Sequence, residues 1–530
     1  MNIFKDGTVL EDICDVKAGL ATADNNRFLR FWYEVDLNKI GFNFKTVENT
    51  KHSFEKWFPY NKGGDYKKWY GNHYYVVDWS NDGLEIKNFK DKNGKLKSRP
   101  QNTQYYFKKS ISWSLLGSPL GIRCYPEGFI FDVNGSSLFP SNEDYYYIAG
   151  CLGSKMSTLL LSILNPTLAF QVGNIKSIPI IYDKTHLEEI TNLVTENIRL
   201  SKLDWDDYEI SWNFSRHPLL RFNGNNLENI FDEWFNEKNN IFNLVKSNEI
   251  KLNHIFSQIY NVNIDCDVED KYISIVKPNY EKDIISFISY AIGCIFGRYS
   301  LDEDGIVFAG NEFDLNKYSK FIPDDDNIVP VLDTEYFEDD IVGRFVDFVK
   351  TCFGEENLEE NLNFIAKALN KKGNTSREVI RNYFLTDFFK SHAQLYNKCP
   401  IYWQFDSGKQ NAFKCLIYMH RYEPNIIARV RTDYLHKTQK AIDENLAHCE
   451  TIIAKSNNKS ELKQAIKDKD KFIKQLKEIK DYDEVLAHIA NQQINIDLDD
   501  GVKVNYSKFQ NIEIAISGQK TKKVNLLKKI

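Results

Sequence analysis

Between Trp57 and Ile86 the chain reads WFPYNKGGDYKKWYGNHYYVVDWSNDGLEI, with three tryptophans and five tyrosines in thirty residues. Rings this large are either buried together or held against a partner, because leaving them in water forfeits about 25 cal/mol per Å² of apolar surface. Lys62, Lys67 and Lys68 are threaded between them, and Gly63 and Gly64 let the backbone turn or approach a partner closely. A buried strand has no use for so many lysines, and a solvated loop has none for so many rings. Two arrangements satisfy both facts. One is a nucleic-acid groove in which lysines meet phosphates while rings and amides meet bases. The other is an aromatic core hairpin with a soluble lysine face.

A chain of 530 residues exceeds a single core and predicts two to four domains. Its net charge of -6 excludes a globally basic nucleic-acid binder, so any DNA site is a local patch. Lys51 to Lys109 holds thirteen Lys and Arg against six Asp and Glu, whereas residues 321–340 carry eight acidic residues and no basic one. Nine scattered cysteines without a CxxC pair predict reduced thiols rather than a disulfide framework or a zinc site. The first residues, MNIFKDGTVLED, are charged where a signal peptide needs an apolar run, and no stretch of eighteen apolar residues occurs. The expectation is a cytoplasmic protein without a membrane span.

Along the chain, Gly19–Val35 predicts a loop feeding a strand, with Arg27 and Arg30 flanking Phe28 as either phosphate ligands or salt-bridge partners. Tyr74–Asp78 and Leu84–Phe89 predict a hairpin around Trp79–Gly83, followed by an exposed lysine-rich loop at Asp91–Pro100. Strands are expected within Tyr105–Leu116, Arg123–Pro140 and Ile178–Tyr182, and helices at Tyr145–Leu164, ending before Pro166, and His186–Leu200. After Asp204 helical periodicity dominates: Leu227–Tyr260, Asp283–Phe296, Asp340–Phe353, Leu358–Leu369 and Ser376–Leu395. Asn311–Asp340, rich in Pro and Asp, predicts a mobile surface segment. IYWQF at 401–405 and Phe413–Arg421 predict strands, and Arg429–Ile479 predicts two long antiparallel helices turning at Asn457–Asn458, either a brace against a partner or a solvated hairpin. Residues 494–510 predict strand–turn–strand, and the lysines of the last eleven residues an exposed tail.

Most catalytic signatures are absent from the sequence: no GxxxxGK[ST], no GxGxxG after a strand, no HExxH, no GxSxG and no His/Cys cluster at metal spacing. One lookalike remains. Asp78 with Glu85 and Lys87 mimics the acidic-x-Lys pattern of Mg²⁺-dependent nucleases, its carboxylates placed on two strands of a hairpin. The turn at Asn81-Asp82-Gly83 accounts for the same residues.

Several blocks together resemble one family. They are GLATADNNRFLRFWYEV, WFPYNKGGDYKKWYGN, Ser112–Pro140, LDWDDYEISWNFSRHPLL, CIFGRYSLDEDG, IYWQFDSGKQNAFKCLIYMHRY and IDLDDGVKVNY, in order over almost the whole chain. The sequence resembles the C-terminal half of PglX-type adenine-specific DNA methyltransferases from bacteriophage-exclusion (BREX) systems, which are related to fused restriction–modification methyltransferases. The family's methyltransferase half carries a glycine-rich turn for S-adenosylmethionine and an Asn-Pro-Pro-Tyr loop for the flipped adenine. Neither is in this sequence, whose one Asn-Pro pair, Asn165-Pro166, is followed by Thr167.

The resemblance implies an α+β protein: a mixed α/β target-recognition domain followed by a mainly helical C-terminal region with long antiparallel helices. The expected division is a DNA-reading domain at 1–200, a mainly helical middle domain at 201–398, and a C-terminal domain at 399–530. The implied function is sequence recognition for an N6-adenine methyltransferase, with no catalytic, cofactor or metal residues in this chain and S-adenosylmethionine bound only by the methyltransferase half. Expected partners are double-stranded DNA, a methyltransferase domain in cis or in trans, and other BREX or defence proteins. The candidate DNA contacts are Arg27, Arg30, Lys62, Lys67, Lys68, Trp69, Asn72 and Arg123. The rival readings are the nuclease on Asp78, Glu85 and Lys87, and a protein-interaction scaffold in which the helices at 429–479 matter most.

Overall fold

A computed structural model describes residues 3–116, 119–165, 167, 169–310, 312–514 and 522–530. Pro166, Asn311 and Lys520, which figure in the expectations above, lie outside these residues. The chain is α+β and groups into two compact units. The first comprises residues 1–32, 37–214 and 233–278; the second comprises 33–36, 215–232 and 279–530. Residues 279–398 and 399–530 therefore share one unit, and 233–278 lie with the first.

Two four-stranded sheets build the first unit. One is antiparallel throughout, with strands in the order Asp15–Lys17, Ser137–Phe139, Ser110–Trp113 and Ile122–Tyr125. The other runs Leu29–Phe31, Tyr75–Asp78, Trp57–Asn61 and Ile130–Phe131, the last pair being parallel. All five residues of Trp57–Asn61 are buried, as a strand covered on both faces requires. Phe58, Tyr60, Val77, Trp79 and Tyr106 form one core. A second core joins Ile111, Trp113 and Ile122 to the helices Tyr145–Gly153, Lys155–Leu164 and Leu187–Asp206. The helix expected over Tyr145–Leu164 is two, bent by 71° where Ser154 takes an extended backbone. Ile190, Val194, Asn197, Leu200, Asp204 and Trp205 face inward at helical spacing.

The second unit is mainly helical. Tyr280–Ile295, Ile341–Phe353, Leu358–Leu369, Ser376–Thr386 and Phe388–Leu395 pack on one another, and Phe388–Leu395 also lies against a three-stranded antiparallel sheet of Val329–Pro330, Lys414–Tyr418 and Tyr402–Asp406. Asp340 begins Ile341–Phe353 by accepting from the backbone N–H of Val342 at 3.0 Å, and it takes a bidentate pair from Arg381 at 2.8 Å. His436–Lys455 and Lys459–Ala490 are the two long helices, antiparallel as their cross-links 450–469 and 436–483 require. No single helix among the described residues is long and apolar enough to cross a membrane.

Four further expectations are corrected. Leu84–Phe89 is not a strand: Ser80–Lys87 coils, because Asn81, Asp82 and Gly83 all take left-handed φ of 50°, 58° and 67°. Ser376–Leu395 breaks at Asp387 into two helices. Residues 494–510 form a 3₁₀ turn, Leu498–Asp500, and a helix, Gly501–Ser507, and the terminal strand pair is Ile512–Ile514 with Lys522–Val524. The acidic stretch before Asp340 is packed rather than a surface excursion. Phe321 and Ile328–Leu332 are core, and Tyr434 donates to Asp326 at 2.9 Å and Asp339 at 2.7 Å. Arg429 pairs with Asp326 at 3.0 Å. Burial, with Asp326 and Asp339 beside it, raises the Asp324 carboxyl to about 7.

Buried histidines give the second unit an acid sensitivity. Burial lowers His217, His392 and His420 each to about 3. The His392 Nε2 accepts the backbone N–H groups of Ile401 and Tyr402 at 3.1 and 3.0 Å, which only a neutral ring can do. Between about pH 6.5 and 4 the unfolded chain takes up these protons and the folded chain does not, so stability falls as pH falls. Asp324 opposes one of the three, since its raised pKa favours the folded state on acidification. Asp339, also raised by burial, opposes in the same sense, and the three histidines still set a net loss of stability on acidification. Denaturant titrations from pH 7 to 4 check this, and a pH-independent midpoint for the second unit contradicts it.

Candidate nucleic-acid interface

The aromatic block enters as the central strand Trp57–Asn61 and leaves it through Gly63 and Gly64, whose φ of 81° and 112° few side chains could adopt. Lys62 stays half-buried with its Nζ 5.2 Å from the Tyr75 ring centre, and burial lowers its pKa against the pull of Asp132. Lys67 donates to the Ser274 carbonyl at 3.0 Å, and burial lowers its pKa too. The Lys68 ammonium meets Glu249 at 2.7 Å, and the Trp69 indole N–H donates to the other oxygen of that carboxylate at 2.8 Å. Trp69 also adds a strand-like contact, its N–H donating to Ile122 O at 2.8 Å and its carbonyl accepting from Cys124 N at 2.9 Å. Asn72 donates to the Asp65 carbonyl at 2.8 Å, and the Arg123 Nη2 donates to Ser114 Oγ at 3.1 Å.

Four of the eight candidates are therefore interior groups. Lys68, Trp69, Asn72 and Arg123 have relative exposures of 8%, 0%, 3% and 0%. The outward stacking face expected of them is replaced by the aromatic core that was its alternative. The physical reason is that Glu249 supplies a buried counter-charge, which lets a lysine follow the rings inside. Arg30 is half-buried, donating to the carbonyls of Asn26 and Leu29 at 2.7 Å and lying over Trp57. Arg27 is the exposed member of the set, with its Nε donating to Glu85 at 2.9 Å.

The nuclease arrangement is not assembled either. Asp78 is buried and accepts from the Ser80 hydroxyl at 2.8 Å, Glu85 is taken by Arg27, and Lys87 pairs with Asp82 at 2.7 Å. Glu85 sits on the coiled segment rather than on a second strand, so the hairpin geometry that would bring the carboxylates together does not exist. Among the described residues, the one carboxylate trio at metal spacing is Asp324, Asp326 and Asp339, already bound by Tyr434 and Arg429.

A dense run of exposed cations lies elsewhere in the first unit, on the loop after Phe89. Lys90, Lys92, Lys95, Lys97 and Arg99 are all exposed, and none makes an ion pair among the described residues. The loop is held in one shape. Lys97 N donates to Phe89 O at 2.9 Å, Asp91 N to Lys95 O at 2.8 Å, and Arg99 N to Ala21 O at 2.8 Å. The single acid, Asp91, spends its carboxylate on the turn, accepting from the backbone of Asn93 at 2.8 Å and Lys95 at 2.9 Å. Lys97 and Arg27 both lie over the Phe89 ring, each 4.9 Å from its centre, which joins Arg27 to the loop in one basic patch. The run KDKNGKLKSR was legible as an exposed loop, but the richer aromatic block drew the candidate contacts away from it.

No family model matches the chain. It is similar to the adenine-specific methyltransferase PglX of Lacticaseibacillus casei (strain Zhang), 40% identical over 520 residues, covering 94% of this chain and 42% of that protein. It is likewise similar to the adenine-specific methyltransferase BrxX of Escherichia coli O9:H4 (strain HS), 36% identical over 516 residues, covering 91% of this chain and 41% of that protein. The chain spans about two-fifths of the length of these curated relatives. The resemblance to PglX-type proteins carried by the sequence blocks thus holds along nearly the whole chain.

The Glu249 site gives a stability prediction. Glu249→Ala strands a buried ammonium and an indole N–H, and it should destabilise the first unit by about 3–5 kcal/mol. Glu249→Gln, which keeps an acceptor for Trp69, should cost less, and Arg27→Ala almost nothing. Thermal melts of the three variants check the order; equal melting of Glu249→Ala and wild type refutes the anchoring role.

Proposed function

We propose that this chain is the DNA sequence-recognition module of an N6-adenine-specific DNA methyltransferase in a BREX or related restriction–modification system, acting in the cytoplasm. The observation that carries the reading is the rigid patch of Arg27, Lys90, Lys92, Lys95, Lys97 and Arg99, set on a fold whose sequence is similar to proteins named adenine-specific methyltransferases. Recognition is placed on residues 1–200. The mainly helical residues 201–398 and the C-terminal 399–530 support it and meet other defence proteins. Methyl transfer belongs to a methyltransferase domain in cis or in trans, because the glycine-rich turn and Asn-Pro-Pro-Tyr loop that the chemistry uses are missing from this sequence.

The physical division of labour follows. A base methyltransferase must draw its adenine out of the duplex. Before that, a separate surface must fix the DNA in register through its phosphates and read neighbouring base edges. In this reading the loop lysines and Arg27 take phosphates as mobile cations held on a fixed backbone. Arg30, Lys62 and Lys67, at the half-buried margin, serve as secondary contacts. Lys68, Trp69, Asn72 and Arg123 act on DNA only by holding the fold.

Lys92→Glu with Lys95→Glu tests the reading, because both side chains are exposed and make no ion pair among the described residues. Binding of a duplex, measured over a range of salt, should weaken, and its log–log salt slope should flatten by about two units, one per lost phosphate contact. Melting temperature should stay unchanged. An unaltered affinity and slope in the double variant removes the patch from DNA binding, and with it this proposal.

A further inference from the structure

The loop after Phe89 is a short two-stranded ribbon. Lys90 and Leu96 are antiparallel bridge partners, bracketed by the bonds from Asp91 N to Lys95 O and from Lys97 N to Phe89 O. A pair bracketed in this way makes no backbone bond of its own, and its two side chains stand close together on one face. The turn at Asp91–Lys95 closes the ribbon, with Gly94 N donating to Asp91 O at 3.0 Å and Gly94 at a φ of 80°. Every residue from Lys92 to Lys97 is exposed, and a Cβ on Gly94 would meet nothing within 4 Å among the described residues. The tip therefore projects from the fold.

Two exposed residues of this ribbon, Asn93 and Leu96, have side chains that are uncharged. Leu96 is 55% exposed. Asn93 gives its backbone N–H to the Asp91 carboxylate, a service that any residue but proline supplies, while its side-chain amide makes no hydrogen bond among the described residues. Phosphates employ the lysines around them and leave both idle. Base edges employ both: an asparagine amide pairs with N6 and N7 of adenine, and an apolar side chain packs on the thymine methyl. Those groups lie in the major groove, and size selects the same groove. Two strands about 4.8 Å apart, with their side chains, fill a major groove about 12 Å wide and exceed a minor groove about 6 Å wide.

We propose that this ribbon enters the major groove of a bound duplex and selects A·T pairs there, Asn93 by the adenine edge and Leu96 by the thymine methyl. This assignment rests on the DNA-recognition reading and adds to it the residues that choose the sequence. Lys90, beside Leu96 across the ribbon, and Lys92 and Lys95, which flank the tip, hold the adjoining phosphates. The bonds across the ribbon fix the backbone before DNA arrives, so little ordering is left to be done on binding.

The full chain is used to select duplexes from a pool of randomised sequence, and base preference and salt slope are read for the wild type and three variants. Asn93→Ala should lose the preference for adenine at one position by about tenfold or more. Leu96→Ala should lose the preference for thymine at another, and with it the ability to tell thymine from uracil, which lacks the methyl. Both should keep the wild-type salt slope, since no phosphate contact is removed, and the wild-type melting temperature, since both side chains are exposed. K92E with K95E should flatten the slope and keep the same preferred bases. Base preference that survives either alanine variant overturns the role of that residue, and it leaves the recognition reading standing where the lysine variant still flattens the slope. Affinity that ignores the lysines as well removes both.

Discussion

One buried carboxylate organises the first unit. Glu249 is 2% exposed and takes the Lys68 ammonium on one oxygen and the Trp69 indole on the other. A lysine pulled inside without it would carry an unpaired charge at a cost of several kcal/mol. With it, the chain can lay Trp69 between Ile122 and Cys124, and the whole aromatic block becomes framework. The surface available to a partner is decided by this pairing, because it removes the most aromatic stretch of the protein from solvent and leaves the neighbouring loop to carry the exposed charge.

The same logic governs the acidic stretch of the second unit. Eight carboxylates in twenty residues would form a strongly negative face if solvated. Arg381 instead takes Asp340, Arg429 takes Asp326, Lys471 takes Asp333 at 2.7 Å, and Tyr434 bridges Asp326 and Asp339. Much of the formal negative charge is thus neutralised inside the unit that bears it. Among the described residues the basic loop at 90–99 has no such partners, so a chain of net charge -6 still offers a concentrated positive patch.

Much of the architecture was legible, for reasons that differ by element. Leu227–Tyr260 and Leu358–Leu369 match their expected bounds because their apolar spacing is helical from end to end. The hairpin expected over Arg429–Ile479 from charge periodicity and the Asn457–Asn458 break is present, though its helices run His436–Lys455 and Lys459–Ala490, the second continuing past the expected end. What failed depended on tertiary partners or on φ. Asn81, Asp82 and Gly83 read as a turn, and they are the residue types that tolerate left-handed φ, but three in succession coil the chain through Lys87 and remove the strand expected after them, an extent the local pattern does not report. The candidate contacts divided similarly. Exposure at Arg27 could be read locally, but the burial of Lys68 and Trp69 depends on Glu249, some 180 residues further on.

The Trp69 ring leaves a mark on a distant part of its own unit. A Cβ on Gly153, at the end of Tyr145–Gly153, would lie 2.6 Å from the Trp69 Cη2, so the indole occupies the space that any other residue there would need. Positions 69 and 153 are therefore exchangeable only as a matched set. A transplant of the 57–86 segment between relatives must carry the Gly153 helix end along with it, or the graft will arrive with its keystone too large for the arch.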